Sequence, residues 1–163
     1  MRETSFELIY CGFDVGSFVA KNGVDNMNKI EREIFENYAR DYKIESISYQ
    51  ILGMMLDEKY VVERLKMFGL NNIYIYGGTY MAIQLYRIGK KHIKIKGIVD
   101  KSGRMVLNEK VTVMLLDELK KKYENEFIIV TPLRYYSEIK RELEQFVDTT
   151  KIMDIGELFF GIA

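Results

Sequence analysis

Ile73-Tyr74-Ile75-Tyr76-Gly77-Gly78-Thr79-Tyr80-Met81-Ala82 joins a short, wholly apolar run to a glycine pair and passes at once into helical spacing. A strand that must reverse and start a helix within a few residues needs positive φ at one of them, and glycine supplies it. Roughly 20 residues on, Gly97-Ile98-Val99-Asp100 is a second apolar run, ending in an acid. Strand, glycine turn, helix N-terminus and a strand closed by Asp is the order of a nucleotide-binding α/β unit. Its logic is physical: backbone N–H groups and a helix dipole converge where a phosphate would sit. The pattern specifies a kind of fold and a kind of ligand, not a reaction.

Outward from that stretch toward the C-terminus, strands and helices alternate. Ile73 to Tyr76 is the first strand, and Tyr80 to Ile88 its helix, closed by Gly89. Ile95 to Val99 is the second strand, Val111 to Val113 a short third, and Leu115 to Tyr123 a helix. Phe127 to Thr131 is an uninterrupted apolar fourth strand, as expected inside a parallel sheet, and Pro132 breaks it. Tyr136, Ile139, Leu143, Phe146 and Val147 stripe a further helix. Lys151 to Ile155 reads as a fifth strand, and Glu157 to Phe160 as a closing turn. Right-handed crossovers wind these elements into an α/β fold, an open parallel sheet of about five strands with helices on both faces.

Toward the N-terminus the pattern changes. Residues 1–70 read as a mainly helical accessory region, and 71–163 as the sheet domain. Phe6, Leu8 and Tyr10 alternate as in a short strand, and Gly12 and Gly16 after them faintly echo the later glycine turn. Met27, Ile30, Ile34, Phe35, Tyr38 and Tyr42 form one helical stripe. Ser46 or Ser48 then caps a second helix bearing Ile47, Ile51, Met54 and Met55. Asp57 caps a third, and Gly69 fits the C′ position that ends it.

Composition narrows the function classes. The 163 residues carry 24 basic and 24 acidic side chains, so no global field draws the chain to nucleic acid. Cys11 and His92 are the sole residues of their types, which excludes an intrachain disulfide and a zinc site of four cysteines or of two cysteines and two histidines. No apolar run approaches the ~20 residues of a membrane span, and no leader-like h-region opens the chain. The expectation is a soluble cytoplasmic protein.

The candidate ligand residues follow the glycine turn. Gly77 opens it, Gly78 lets a diphosphate approach the backbone, and Thr79 and Tyr80 lead into the helix. Against the G-x-G-x-x-G fingerprint Gly77 and Ala82 fit, while Thr79 replaces the second glycine and points a side chain at the phosphates. Asp100 is placed to accept ribose hydroxyls, with Lys101 beside it; its alternative role is to cap the Lys101-Ser102-Gly103 turn. After the fourth strand, Thr131 and Arg134 stand at the carboxyl ends where ligands of open sheets lie, and a nearby Tyr could stack on a base. The alternative there is a helix entry with surface aromatics. The basic run Arg87, Lys90, Lys91, His92, Lys94 and Lys96 reads as a solvated face, and His92 has no acid partner visible in the sequence. Cys11 reads as core.

The ordered stretches Asn72 to Gly78, Leu85-Tyr86, Gly97 to Lys101, Leu116 to Leu119, Ile128 to Thr131 and Ile139 to Leu143 resemble the small Rossmann-like domains of bacterial surface-polysaccharide biosynthesis proteins. They are similar to the N-terminal nucleotide-sugar-binding domain of sialic-acid-type sugar acyltransferases. The resemblance covers residues 58–160 and implies that Gly77, Gly78 and Asp100 contact the nucleotide. It implies a ligand such as NAD or a uridine nucleotide-sugar, and a glycosyltransferase or acyltransferase as partner. Three functions stay open: a nucleotide or nucleotide-sugar binding module without chemistry, an NAD(P)-dependent sugar-modifying enzyme, and a non-binding scaffold that forms a homodimer through its N-terminal helices.

Overall fold

A computed structural model describes residues 28–102 and 113–161, which fall into two compact units, 1–43 and 44–163. The expected strand at Phe6 to Tyr10, its glycine echo, Cys11, and Val111 and Thr112 lie outside the described residues. In the first unit the described residues begin helix α1, Lys29–Met54, whose later turns belong to the second unit. No break occurs at Ser46 or Ser48, against expectation. Ser48 Oγ instead donates to Ile44 O one turn back, at 2.8 Å, so the hydroxyl is absorbed by the helix it was expected to cap.

In the second unit, α2 (Glu58–Met67) starts at Asp57, whose carboxylate accepts the Tyr60 N–H at 3.1 Å. It stops at Gly69, which has φ +66°. Leu70 N–H bonds Leu65 O and Gly69 N–H bonds Lys66 O, the paired closure of a Schellman motif. Then come β1 (Asn72–Tyr76), α3 (Tyr80–Gly89), β2 (Lys94–Val99), β3 (Val113–Met114), α4 (Leu116–Lys122) and β4 (Phe127–Val130). A 3-10 turn (Leu133–Tyr135) leads into α5 (Tyr136–Leu143). The chain closes with β5 (Ile152–Asp154) and α6 (Ile155–Phe160), a helix where a turn was expected.

All five strands are parallel, in the order β3-β2-β1-β4-β5. The α/β fold is therefore the Rossmann-like one expected. β1 alternates cleanly between two cores: Ile73 and Ile75 face one layer, Tyr74 and Tyr76 the other. The first layer takes α2, α3 and α6, with Val61, Leu65, Leu85 and Leu158 fully buried. The second takes α4 and α5 through Leu119, Ile139 and Leu143. Each such side chain contributes roughly 1.5–3 kcal/mol by leaving water, so the two layers hold the strands from both sides.

Chain order reverses at β1, because β2 and β3 extend the sheet one way and β4 and β5 the other. That reversal opens a crevice at the carboxyl ends of β1 and β4, where the loops diverge.

Candidate functional site

A cleft of about 430 Å³ lies at that crevice, lined by Tyr76, Gly77, Gly78, Thr79, Asp100, Lys101, Pro132, Tyr135, Glu138 and Ile139. β1 delivers Tyr76 and the glycine turn, the end of β2 delivers Asp100, and the segment after β4 delivers Pro132 and Tyr135. Gly77 has φ +102°, the conformation that a strand-to-helix reversal requires and L side chains rarely adopt.

The turn is held tightly from within. Gly77 N–H donates to Val99 O at 2.7 Å, which ties the turn to β2. Gly78 N–H donates to Asp100 Oδ2 at 2.7 Å. The other carboxylate oxygen of Asp100 accepts the Ser102 N–H at 2.8 Å and the Ser102 hydroxyl. One side chain thus caps the turn after β2 and grips the turn after β1. Both roles read for Asp100 in the sequence concern this carboxylate, and the capping role is the one its hydrogen bonds display.

Thr79 is the N-cap of α3, its hydroxyl oxygen accepting the Ala82 N–H at 3.1 Å. The same hydroxyl donates to Thr131 Oγ1 at 2.7 Å, and Thr131 in turn donates to Tyr76 O at 3.0 Å. This chain explains why a threonine stands in the second glycine slot: it fastens the start of α3 to the end of β4. Thr131 is fully buried and serves that bridge rather than the cleft wall. The N–H groups of Thr79, Tyr80 and Met81 have no partner outside the helix among the described residues. They leave the positive end of the α3 dipole accessible.

The remaining sequence candidates separate. Lys101 lines the cleft, with Nζ 2.9 Å from Glu142 Oε2. Tyr80 is 62% exposed and stands outside the cleft wall, as does exposed Arg134 in the 3-10 turn. Pro132, Tyr135, Glu138 and Ile139 take the positions around Arg134 instead. Tyr76 went unremarked as a ligand residue because it stands in the sequence only as the last residue of an apolar strand. Its side chain is 2% exposed and its hydroxyl has no partner among the described residues. Burial, then the nearby Glu142 and Asp100 carboxylates, push that phenol up to about 12. It is therefore a neutral donor at ordinary pH. No histidine or cysteine lines the cleft, and no group of three metal-ligating side chains occurs among the described residues.

The basic run does find acids, through tertiary structure. Lys91 and His92 converge on Glu58, at 2.9 and 3.1 Å, so His92 has the acid partner its sequence neighbourhood did not reveal. Those two hydrogen bonds hold the Glu58 carboxyl below its ordinary value. Lys96 pairs with Glu124 at 2.7 Å and with the buried Glu126. No helix among the described residues is long and apolar enough to cross a membrane.

Comparison with protein-family models, with curated proteins and with solved structures returns no match.

Proposed function

We propose that the chain is a nucleotide or nucleotide-sugar binding module, with its ligand in the cleft at the chain-order reversal. The observation that carries this is the coincidence, in one 430 Å³ cleft, of the β1 glycine turn and the acid that ends β2. Asp100 supplies acceptors for ribose or sugar hydroxyls, and Tyr135 and Pro132 offer an apolar bed for a ring. The order of motifs along residues 58–160 supports a role in bacterial surface-polysaccharide biosynthesis, beside a transferase that does the chemistry, in the cytoplasm. The test is thermal stability of the full chain against NAD, NADP, UDP, UDP-sugars and CoA. A true ligand at 100 times its dissociation constant adds about 2.7 kcal/mol. A response to uridine compounds supports the binding module, whereas a response to NAD turns the reading toward a sugar-modifying enzyme.

Self-association is the second reading. Along the first unit's part of α1, Ile30, Ile34 and Tyr42 expose 70%, 53% and 44% of their surface at helical spacing. A second copy of the chain would cover this face. Light scattering on the wild type and on Ile34→Glu checks it: a dimer dissolved by the substitution supports the reading. Met54 is a poor probe because it packs against the core.

A further inference from the structure

The cleft's hydrogen-bonding groups narrow the ligand class, on the reading that the cleft binds a ligand at all. Within the glycine turn itself, though not at the first amides of α3, the groups that would cradle a diphosphate are already occupied by the protein. A Cβ at Gly77 would lie 2.4 Å from Pro132 Cγ, and one at Gly78 would lie 2.7 Å from Asp100 Oδ2. The gap left by each missing side chain is therefore filled by a neighbour. The amides are engaged as well, Gly77 by Val99 O and Gly78 by Asp100. Thr79 has spent its hydroxyl on α3 and Thr131. Lys101, the cation on the wall, is paired with Glu142. A phosphate oxygen approaching the Gly78 amide would have to displace the carboxylate oxygen already bonded to it.

What the wall does offer is different in kind. Tyr76 brings a buried hydroxyl with no partner among the described residues. Asp100 and Glu138 bring carboxylate acceptors, and Pro132, Ile139 and the exposed Tyr135 bring apolar surface. A donor and two acceptors over an apolar bed suit a ring with neighbouring hydroxyls, whose O–H groups both give and take hydrogen bonds. A buried polar group left unpaired is costly, so a ligand that reaches the Tyr76 oxygen gains by satisfying it. That oxygen is shut off from solvent, so the ligand must press into the wall to reach it.

We propose that the cleft recognises the hydroxyl face of a ribose or hexose ring through Tyr76 and Asp100, and that the glycine turn holds no phosphate. Where the ring belongs to a nucleotide-sugar, the affinity comes from the sugar rather than the diphosphate.

Calorimetric titration of the full chain with uridine, 2′-deoxyuridine, UMP, UDP, UDP-glucose and glucose tests this, repeated on Tyr76→Phe and Asp100→Asn. The expected result is that the phosphates add less than about tenfold, while loss of the contacted hydroxyl, or Tyr76→Phe, weakens binding about tenfold. Asp100→Asn weakens the hydroxyl ligands further. UDP binding more than about tenfold tighter than uridine and glucose, with Tyr76→Phe without effect, overturns the proposal and leaves the binding-module reading intact. Binding by none of the six compounds overturns the proposal, and the broader screen with NAD, NADP and CoA then decides the binding-module reading. Tyr76→Phe and the deoxy ligand keep the test decisive if Asp100→Asn does not fold.

Discussion

The two ends of the sheet hold their carboxylates by different contacts among the described residues. At the amino ends of the strands, Glu126 is 5% exposed and is matched by a cation. Lys96 reaches it because the β1–β2 register slips between Ile73 and Tyr74, leaving Lys96 as the extra residue of β2. Asn72 Nδ2 lies 3.5 Å from the same carboxylate, and the Glu124 N–H donates to it at 2.9 Å, so three adjacent strands are laced together there. At the carboxyl ends, Asp100 is held by backbone amides and the Ser102 hydroxyl, beside a cleft. An ion pair neutralises charge and closes an end. Amide and hydroxyl donors hold the other carboxylate in place beside an open cleft. The difference teaches where to look for binding: at the end whose acid stands beside a cleft.

The sharpest way to break this contrast is at the carboxyl end. Gly77→Ala forces an L residue to φ +102° and drives its Cβ into the Pro132 ring. We expect a loss of roughly 2–4 kcal/mol, since the ring and the Thr131 bridge cannot retreat cheaply. Urea unfolding checks it. A loss below about 0.5 kcal/mol would mean the turn is not the rigid element described here.

At the amino end, Glu126→Gln should cost about 1.5–3 kcal/mol at neutral pH, the range for hydrogen bonds to charged groups. It should also change the pH dependence. Burial alone would raise the Glu126 carboxyl, but the hydrogen bonds from Lys96 and the Glu124 amide outweigh it and hold the group below its ordinary value of 4.5. A carboxyl depressed by folding contributes stability that is present above that value and lost as pH falls through the folded one. Wild type should therefore weaken below about pH 4.5, and Glu126→Gln should show a flatter acid limb in thermal melts across that window. Parallel acid limbs would show that the Lys96 pair does not couple to folding.

Gly78→Ala sharpens the comparison more gently. Its Cβ meets only the far end of the Asp100 side chain, which can swing aside. The expected cost is below about 1 kcal/mol, so the contrast with Gly77→Ala separates backbone strain from a displaced carboxylate. Equal losses in the two variants would erase that distinction.

The smallest effect belongs to Tyr76→Phe. Removing an unpartnered buried hydroxyl should leave stability within about 0.5 kcal/mol of wild type at neutral pH. At high pH the two should diverge. A phenol whose pKa rises on folding contributes stability that is full below the ordinary value of 10.0 and lost as pH climbs toward about 12. Tyr136 shares this range through its own burial and the Asp154 and Glu157 carboxylates. Wild type should thus unfold at lower alkaline pH than Tyr76→Phe, read by tyrosinate absorbance together with circular dichroism. Coincident alkaline transitions would place the phenol in contact with solvent.

Much of the frame was legible along the chain. The apolar runs at Ile73 to Tyr76 and Phe127 to Val130, the cap at Asp57 and the stop at Gly69 depend on neighbours within a few residues, and local sequence records such neighbours directly. The helix break expected at Ser46 or Ser48 failed for the converse reason. A serine hydroxyl can cap a new helix or bond back into an existing one, and only the surrounding turns select between them. Tyr76 reads in the sequence only as the end of an apolar strand, because an apolar run reports burial, not whether a side-chain oxygen finds a partner there.

Sequence alone determined the alternating strands and helices, the glycine turn and the acid that follows β2, because periodicity and the φ needs of a turn are properties of short segments. Tertiary structure alone decided that Pro132 and Asp100 fill the spaces left by two glycines, that Thr79 bonds Thr131 and that Glu58 answers His92. Those partners are 22 to 55 positions apart in the chain and meet only when five strands stack in one order.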